Sequence, residues 1–83
     1  MSEGELVFTD GSSMKGSYQI SHIGTRARQL IFVANDFSTD SFFKKADFLR
    51  SITGNIVALE LKKTNVGAKN QILTIYCEFL EKE

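Results

Sequence analysis

The chain has 83 residues and no net charge, which is enough for one small domain. Hydrophobic residues make up 42% of it and charged residues 24%, the composition of a folded protein rather than a disordered one. It has no Pro, no Trp, one His and one Cys. A single Cys excludes an intramolecular disulfide framework, and one Cys with one His excludes the common zinc sites.

The N-terminal composition predicts the compartment of the domain. Residues 1–5 are Met-Ser-Glu-Gly-Glu, an acidic stretch with no hydrophobic run behind it, which is unlike a secretory signal. No apolar run elsewhere approaches the roughly 18 residues that a membrane-spanning helix needs. We therefore expect one cytoplasmic globular domain over residues 1–83 that makes no membrane contact.

Three strands are predicted in the first half of the chain. Residues 5–9 are apolar at their centre, and the Asp-Gly that follows predicts a turn. Residues 17–23 alternate between two faces, which is typical of a strand with one face in water. A short helix running on to Arg28 is the alternative for that segment. Residues 29–34 form a nearly continuous apolar run, which predicts a central strand buried on both faces.

The segment from about residue 39 to 52 is predicted to be a helix. Ser38 or Asp40 is suited to cap its start, because either side chain accepts a hydrogen bond from an unpaired backbone N–H. Apolar residues recur from Phe42 at i, i+4 and i+7, which places them on one helical stripe. Gly54 follows where a left-handed C-cap is expected.

Two more strands are predicted after this helix, at residues 55–61 and 71–80, with an exposed hairpin loop at 62–70. The order β-β-β-α-β-β predicts an α+β domain, built as a five-stranded, mainly antiparallel sheet or as a small OB-like barrel. This order matches that of an OB-fold in topology alone, since no motif in the chain identifies a family.

Residues suited to catalysis are scarce. His22 is the only His, and Cys77 falls on the apolar face of the last predicted strand, where a small core side chain is expected. The chain contains no Walker loop, Rossmann glycine fingerprint or metalloprotease motif. We therefore expect no enzymatic activity, no metal site and no cofactor.

Aromatic residues are numerous for this length, with seven Phe and two Tyr, which predicts that some of them lie at an interface. We predict a non-enzymatic protein–protein interaction module, acting as an adaptor, an inhibitor or a self-associating subunit. It would bind another protein or a second copy of itself through an aromatic patch with a basic rim. The predicted partner-binding residues are Phe37, Phe42, Phe43, Arg26, Arg28, Lys44 and Lys45.

The middle of the chain supports two alternatives. Residues 15–69 carry nine Lys and Arg against four Asp and Glu, between acidic ends. An OB-like nucleic-acid-binding domain would line a groove with these basic residues and stack bases on Tyr18, Phe32 or Tyr76. A net charge of zero disfavours it, since proteins that bind phosphate backbones carry a clear basic excess. The second alternative is a small-ligand or nucleotide-binding protein with its pocket near Arg26 and Arg28.

Overall fold

The structure, a computed structural model, describes residues 1–36 and 43–81. These residues form seven strands: β1 (Ser2–Phe8), β2 (Ser13–His22), β3 (Ala27–Ala34), β4 (Ala46–Ser51), β5 (Ile56–Ala58), β6 (Lys62–Lys69) and β7 (Ile72–Leu80). All neighbouring strands are antiparallel, in one sheet of order β5-β4-β1-β2-β3-β7-β6 that curls into a half-barrel. Over the two described ranges, no helix has the length and apolar character needed to cross a membrane.

The predicted α+β class is wrong, because the described residues are all β. Of the helix expected at about 39–52, residues 39–42 lie outside the described part and residues 46–51 form β4. The five-stranded order β-β-β-α-β-β and the OB-like barrel inferred from it are wrong for the same reason. The strands predicted before and after this segment are confirmed as β1, β2, β3 and β7 with longer or slightly shifted bounds, and β2 rules out the short helix running on to Arg28.

β4 forms as a strand because it supplies hydrogen-bond partners to the open side of β1. The two strands pair from Gly4–Ser51 to Phe8–Ala46, and a helix over this segment would leave those backbone groups of β1 without partners. Gly54 does adopt the predicted left-handed conformation, with φ of 93°. It lies in the turn between β4 and β5, where its N–H donates to the Ser51 carbonyl at 2.9 Å.

The loop predicted at 62–70 is also a strand, β6, which pairs with β7 from Lys62–Glu78 to Lys69–Ile72. The strand predicted at 55–61 shortens to β5. Between β6 and β7 only Asn70 and Gln71 turn the chain, with φ values of 54° and 63°. Two positive φ values in a two-residue hairpin are the geometry of a type I′ turn, whose twist matches that of the flanking strands.

The core lies on the concave face of the half-barrel. Alternate residues of β3 and β7 are fully or nearly fully buried there, and the odd-numbered residues of β3 are only half-buried, so β3 has one core face rather than the two predicted. Cys77 is on the core face, as the sequence predicts. The buried cluster consists of Leu6, Phe8, Leu30, Phe32, Ala34, Ala46, Leu49, Ala58, Leu61, Leu73, Ile75 and Cys77.

Two glycines on neighbouring strands allow the core side chains to approach the backbone closely. Gly4 and Gly16 pair directly across β1 and β2. A Cβ on Gly16 would lie 2.2 Å from the Val33 carbonyl oxygen and 2.9 Å from the ring of Phe32. A Cβ on Gly4 would lie 2.9 Å from the ring of Tyr18. Both rings therefore occupy space that any other residue at these positions would fill.

Gly16→Ala is expected to destabilise the domain by about 3 kcal/mol, because backbone atoms and the Phe32 ring must move to admit a methyl group. Gly67→Ala is the matched control: Gly67 lies in β6, and no atom of the described residues is within 4 Å of its Cβ position. There the change is expected to be neutral or stabilising by up to about 0.5 kcal/mol. Urea unfolding of both variants measures the difference, and equal stabilities would contradict the close approach at Gly16.

Gln71→Gly is expected to stabilise the domain by about 1 kcal/mol, since a left-handed conformation is strained for Gln and unstrained for Gly. The same substitution at Gln19, an exposed position inside β2, is expected to destabilise by about 0.5–1 kcal/mol through the flexibility of Gly. Both free energies of unfolding are obtained from urea titrations. Destabilisation by Gln71→Gly would show that the turn is not of type I′.

Candidate functional site

Four exposed aliphatic side chains gather at the end of the half-barrel where β7 ends, and we call them the aliphatic ridge. Their exposed fractions are 50% for Ile23, 57% for Ile56, 45% for Leu59 and 68% for Leu80. They lie around two adjoining hollows of about 230 and 250 Å³, which share Phe79 and Leu80 as a common wall. A cluster of large aliphatic side chains in water, in contrast to scattered single ones, is typical of a contact surface.

Four parts of the chain supply the aliphatic ridge. Leu80 is the last residue of β7, and Ile56 is the first of β5. Ile23 follows β2, held in place by its N–H donating to the Ala27 carbonyl at 3.1 Å. Leu59 precedes Glu60, whose positive φ of 56° bends the chain between β5 and β6. A non-glycine residue in this conformation is strained, and here it separates exposed Leu59 from buried Leu61.

Arg28 fixes the backbone at two places that adjoin the aliphatic ridge, the β2–β3 turn and the end of β7. It is only 9% exposed, and its guanidinium donates to the Glu81 carboxylate and to the carbonyls of Gly24, Thr25 and Ala27. The backbone N–H of Glu81 in turn donates to the Arg26 carbonyl at 2.8 Å. These bonds connect the β2–β3 turn, which follows Ile23, to Glu81, which follows Leu80.

The predicted partner-binding residues are distributed over two regions. Phe37 and Phe42 lie outside the described residues. Phe43, 89% exposed, and Lys45, also exposed, immediately precede β4. Arg26, which is exposed, and Arg28, which is buried, lie instead at the start of β3 beside the aliphatic ridge. Arg28 therefore holds the fold together rather than lining an open surface.

Lys44, the remaining predicted rim residue, is engaged within the protein. Its ammonium group lies 3.5 Å from the Asp10 carboxylate, donates to the Ser12 hydroxyl at 2.9 Å and sits 5.7 Å from the centre of the Phe8 ring. Hydrogen bonds from Ser12, with a contribution from the charge of Lys44, lower the pKa of Asp10. This cluster joins the β1–β2 turn to the start of β4.

Most of the described aromatic residues serve the core. Phe8 and Phe32 are buried, and Tyr18 and Phe79 pack against the buried cluster from its margin. Among the seven aromatics of the described ranges, Phe43 alone is largely exposed. The aromatic content thus reflects a small core filled with rings more than a broad aromatic surface.

The aliphatic ridge was missed by the sequence reasoning, although one signal for it was present. In β7 the core residues have odd numbers, so Leu80 falls on the solvent-facing side of the strand together with Ile72. An aliphatic side chain at a solvent-facing position is the pattern that marks a candidate contact residue. No comparable signal identifies Ile23 or Leu59, because each stands beyond a strand end where alternation stops.

Cys77 and His22 do not form a reactive pair. Cys77 is fully buried opposite Leu30 of β3, whereas His22 is exposed at the end of β2 and pairs with Arg28. Burial raises the pKa of the Cys77 thiol to about 11, so the thiol stays protonated at neutral pH and is a poor nucleophile. In the described residues, no group of three His, Cys, Asp or Glu side chains is placed to hold a metal ion.

A third hollow, of about 300 Å³, surrounds an ion pair between β1 and β4. Glu5 and Arg50 are paired at 2.5 Å, and Glu3 and Lys15 line the same hollow. The charges of its walls are balanced, so this hollow has no preference for an anion or a cation. The hydrogen bond from Arg50 lowers the pKa of Glu5 below its ordinary value of 4.5.

No family model, curated protein or solved structure matches this chain.

Acid is expected to weaken the fold in part through Glu5. Because pairing with Arg50 lowers the pKa of Glu5 in the folded state, the Glu5–Arg50 ion pair stabilises the protein above about pH 4.5. This stabilisation is lost as the pH falls through the lowered pKa. Glu5→Gln should therefore flatten the fall in melting temperature between about pH 5 and 3. In an Arg50→Gln background the same substitution should change the profile little; an equal flattening in both backgrounds would contradict the pairing.

Proposed function

We propose that this domain is a non-enzymatic protein-interaction module whose contact surface is the aliphatic ridge. The observation that carries the proposal is the exposure of Leu80, Ile56, Ile23 and Leu59 around two hollows that share one wall. Removing such side chains from water yields roughly 25 cal/mol for each Å² of apolar surface, so a partner that covers the aliphatic ridge gains free energy from it.

The surroundings of the aliphatic ridge have the composition of a protein contact. Glu60, Glu78 and Lys62 line one of the two hollows, and Glu81 lines the other. A centre of aliphatic side chains with charged residues of both signs at the margin is the usual anatomy of an interface. The mixed charge supports a protein partner, because a rim of both signs selects a complementary surface rather than a uniformly charged polymer.

The rigidity of the aliphatic ridge also supports a binding role. Leu80 pairs with Ala27 of β3, and Arg28 ties the β2–β3 turn to Glu81. A surface that is already ordered loses little conformational entropy when a partner covers it. The buried, free Cys77 accords with a cytoplasmic location, which remains part of the proposal.

The nucleic-acid alternative receives less support from the arrangement of the aromatic residues. Of the three predicted stacking residues, Phe32 is fully buried, Tyr18 packs against the core and Tyr76 is half-buried. Base stacking needs an open ring face. We therefore do not extend the proposal to nucleic acids.

Leu80→Lys is expected to abolish partner binding, because it places a charge at the centre of the surface to be covered. Ile72→Lys is the matched control: Ile72 stands at the opposite end of β7, is 52% exposed and acquires the same charge. Wild type and both variants, tagged and expressed in the native host, are compared by affinity capture and by sedimentation velocity. A captured protein or a dimer should persist in Ile72→Lys and be lost in Leu80→Lys.

A second comparison separates the aliphatic ridge from the surface around Phe43. Phe43→Ser should leave partner capture unchanged if the aliphatic ridge is the contact surface. Loss of capture in Phe43→Ser with retention in Leu80→Lys would reject the aliphatic ridge and return the contact to the start of β4. Circular dichroism of each variant verifies that the sheet is intact.

A further inference from the structure

One of the two hollows of the aliphatic ridge runs along the backbones of two strands, and we call it the edge slot. It is the hollow of about 230 Å³, lined by residues 56–59 on one side and by residues 79–81 on the other. Successive side chains of a strand point to opposite faces of the sheet. A hollow that borders four consecutive residues of one segment and three of another therefore lies beside their backbones rather than over one face of the sheet.

The β7 side of the edge slot has backbone groups that no described strand reaches. β6 pairs with β7 only as far as Glu78, so residues 79–81 extend beyond the start of β6. On the β3 side, the Glu81 N–H donates to the Arg26 carbonyl at 2.8 Å. Adjacent residues of an antiparallel strand bond to opposite sides, so the backbone N–H and C=O of Leu80 point away from β3. They point to the side where β6 is missing.

The β5 side of the edge slot is a strand edge of the same kind. β5 is the last strand of the sheet at that end and pairs only with β4 among the described strands. The Ser51 N–H of β4 donates to the Asn55 carbonyl at 2.7 Å. By the same alternation, the N–H and C=O of Ile56 point away from β4. The edge slot is therefore bordered on both sides by backbone donors and acceptors of the kind that pair with a further strand.

The side chains that line the edge slot specify those of an occupant. Six of the seven lining residues are apolar, and the carboxylate of the seventh, Glu81, already accepts a hydrogen bond from Arg28. A charged side chain placed here would lose water without gaining a partner. An aliphatic side chain instead covers the exposed surfaces of Ile56 and Leu80. The lining thus favours an uncharged, aliphatic occupant.

We propose that the edge slot binds an extended segment of a protein partner, which adds a strand between β5 and the end of β7. This inference rests on the proposed function and names the form of the partner segment. The backbone of the segment pairs with Ile56 on one side and with Leu80 on the other. Its aliphatic side chains, at every second position, cover the aliphatic ridge. In such strand addition the main chain supplies affinity and the alternate side chains supply specificity.

A library of short random peptides displayed on phage, selected against the immobilised domain, tests this proposal. Enriched sequences are expected to carry aliphatic or β-branched residues at every second position, the period of a strand. A synthetic copy of an enriched peptide is then methylated at one central backbone nitrogen at a time, which removes single hydrogen-bond donors. Binding is expected to weaken about tenfold at the positions that pair with the domain. Methylation of the terminal nitrogen is the control and should change the affinity little.

The N–H of Ile56 provides a matched test within the domain. Ile56→Pro removes this donor, and Pro is tolerated in an edge strand where the N–H points outward. Ile56→Ala is the control, because it removes the same aliphatic side chain and keeps the N–H. The enriched peptide is expected to bind Ile56→Pro about fivefold more weakly than Ile56→Ala. In the wild type, binding should also slow hydrogen exchange at the amides of Ile56 and Leu80, a readout that needs no variant.

Four outcomes would reject the added strand. These are no enriched sequence, aliphatic residues at helical spacing, binding that tolerates methylation at every central nitrogen, and a dimer that the enriched peptide dissociates. The second and third leave the aliphatic ridge as a contact surface for a partner of another form, and the fourth assigns the edge slot to a second copy of this chain. Enriched peptides that bind Leu80→Lys as well as the wild type would contradict the aliphatic ridge itself, so the failures of the two proposals are distinguishable.

Discussion

The absence of a side chain at Gly16 is the constraint on which the rest of this structure depends. The carbonyl of Val33 and the ring of Phe32 both occupy the space where a Cβ would stand, and Gly4, directly opposite on β1, leaves similar room for Tyr18. The rings of Phe32 and Tyr18 can therefore pack close to the backbone of the two neighbouring strands. In a chain of 83 residues without a disulfide, this is how one curled sheet encloses a core.

Curling the sheet determines which residues meet at its ends. The starts of β4 and β6 are far apart in the order of strands, yet the Leu61 N–H reaches the Asp47 carbonyl and the Lys63 amine reaches the Lys44 carbonyl. These bonds connect strands from opposite halves of the sheet. They also bring together lysines that no local sequence pattern relates, because the contact arises from closure of the half-barrel and not from spacing along the chain.

The elements that could be predicted from sequence are those in which the residue pattern favours only one kind of secondary structure. Alternation in 17–23 and 71–80 predicts β2 and β7, and the core face of β7 with it. At 46–51 the spacing of apolar residues also suits a helix, and only the unpaired edge of β1, a tertiary feature, favours the strand. At 70–71 Asn is a recognised left-handed residue but Gln is not, so the local signal for the turn was incomplete and β6 was not predicted.

The candidate sites show the same division between local and tertiary information. Composition indicates many rings, but whether Phe32 is buried or Phe43 exposed depends on the curl. The link between β5 and β6 illustrates the consequence over four residues. Glu60, in its left-handed conformation, separates Leu59, which joins the aliphatic ridge, from Leu61, which enters the core. Because Lys62 lines a hollow of the aliphatic ridge as well, one strained backbone turn positions both an aliphatic and a charged side chain of this surface, and a change in its conformation would displace the two together.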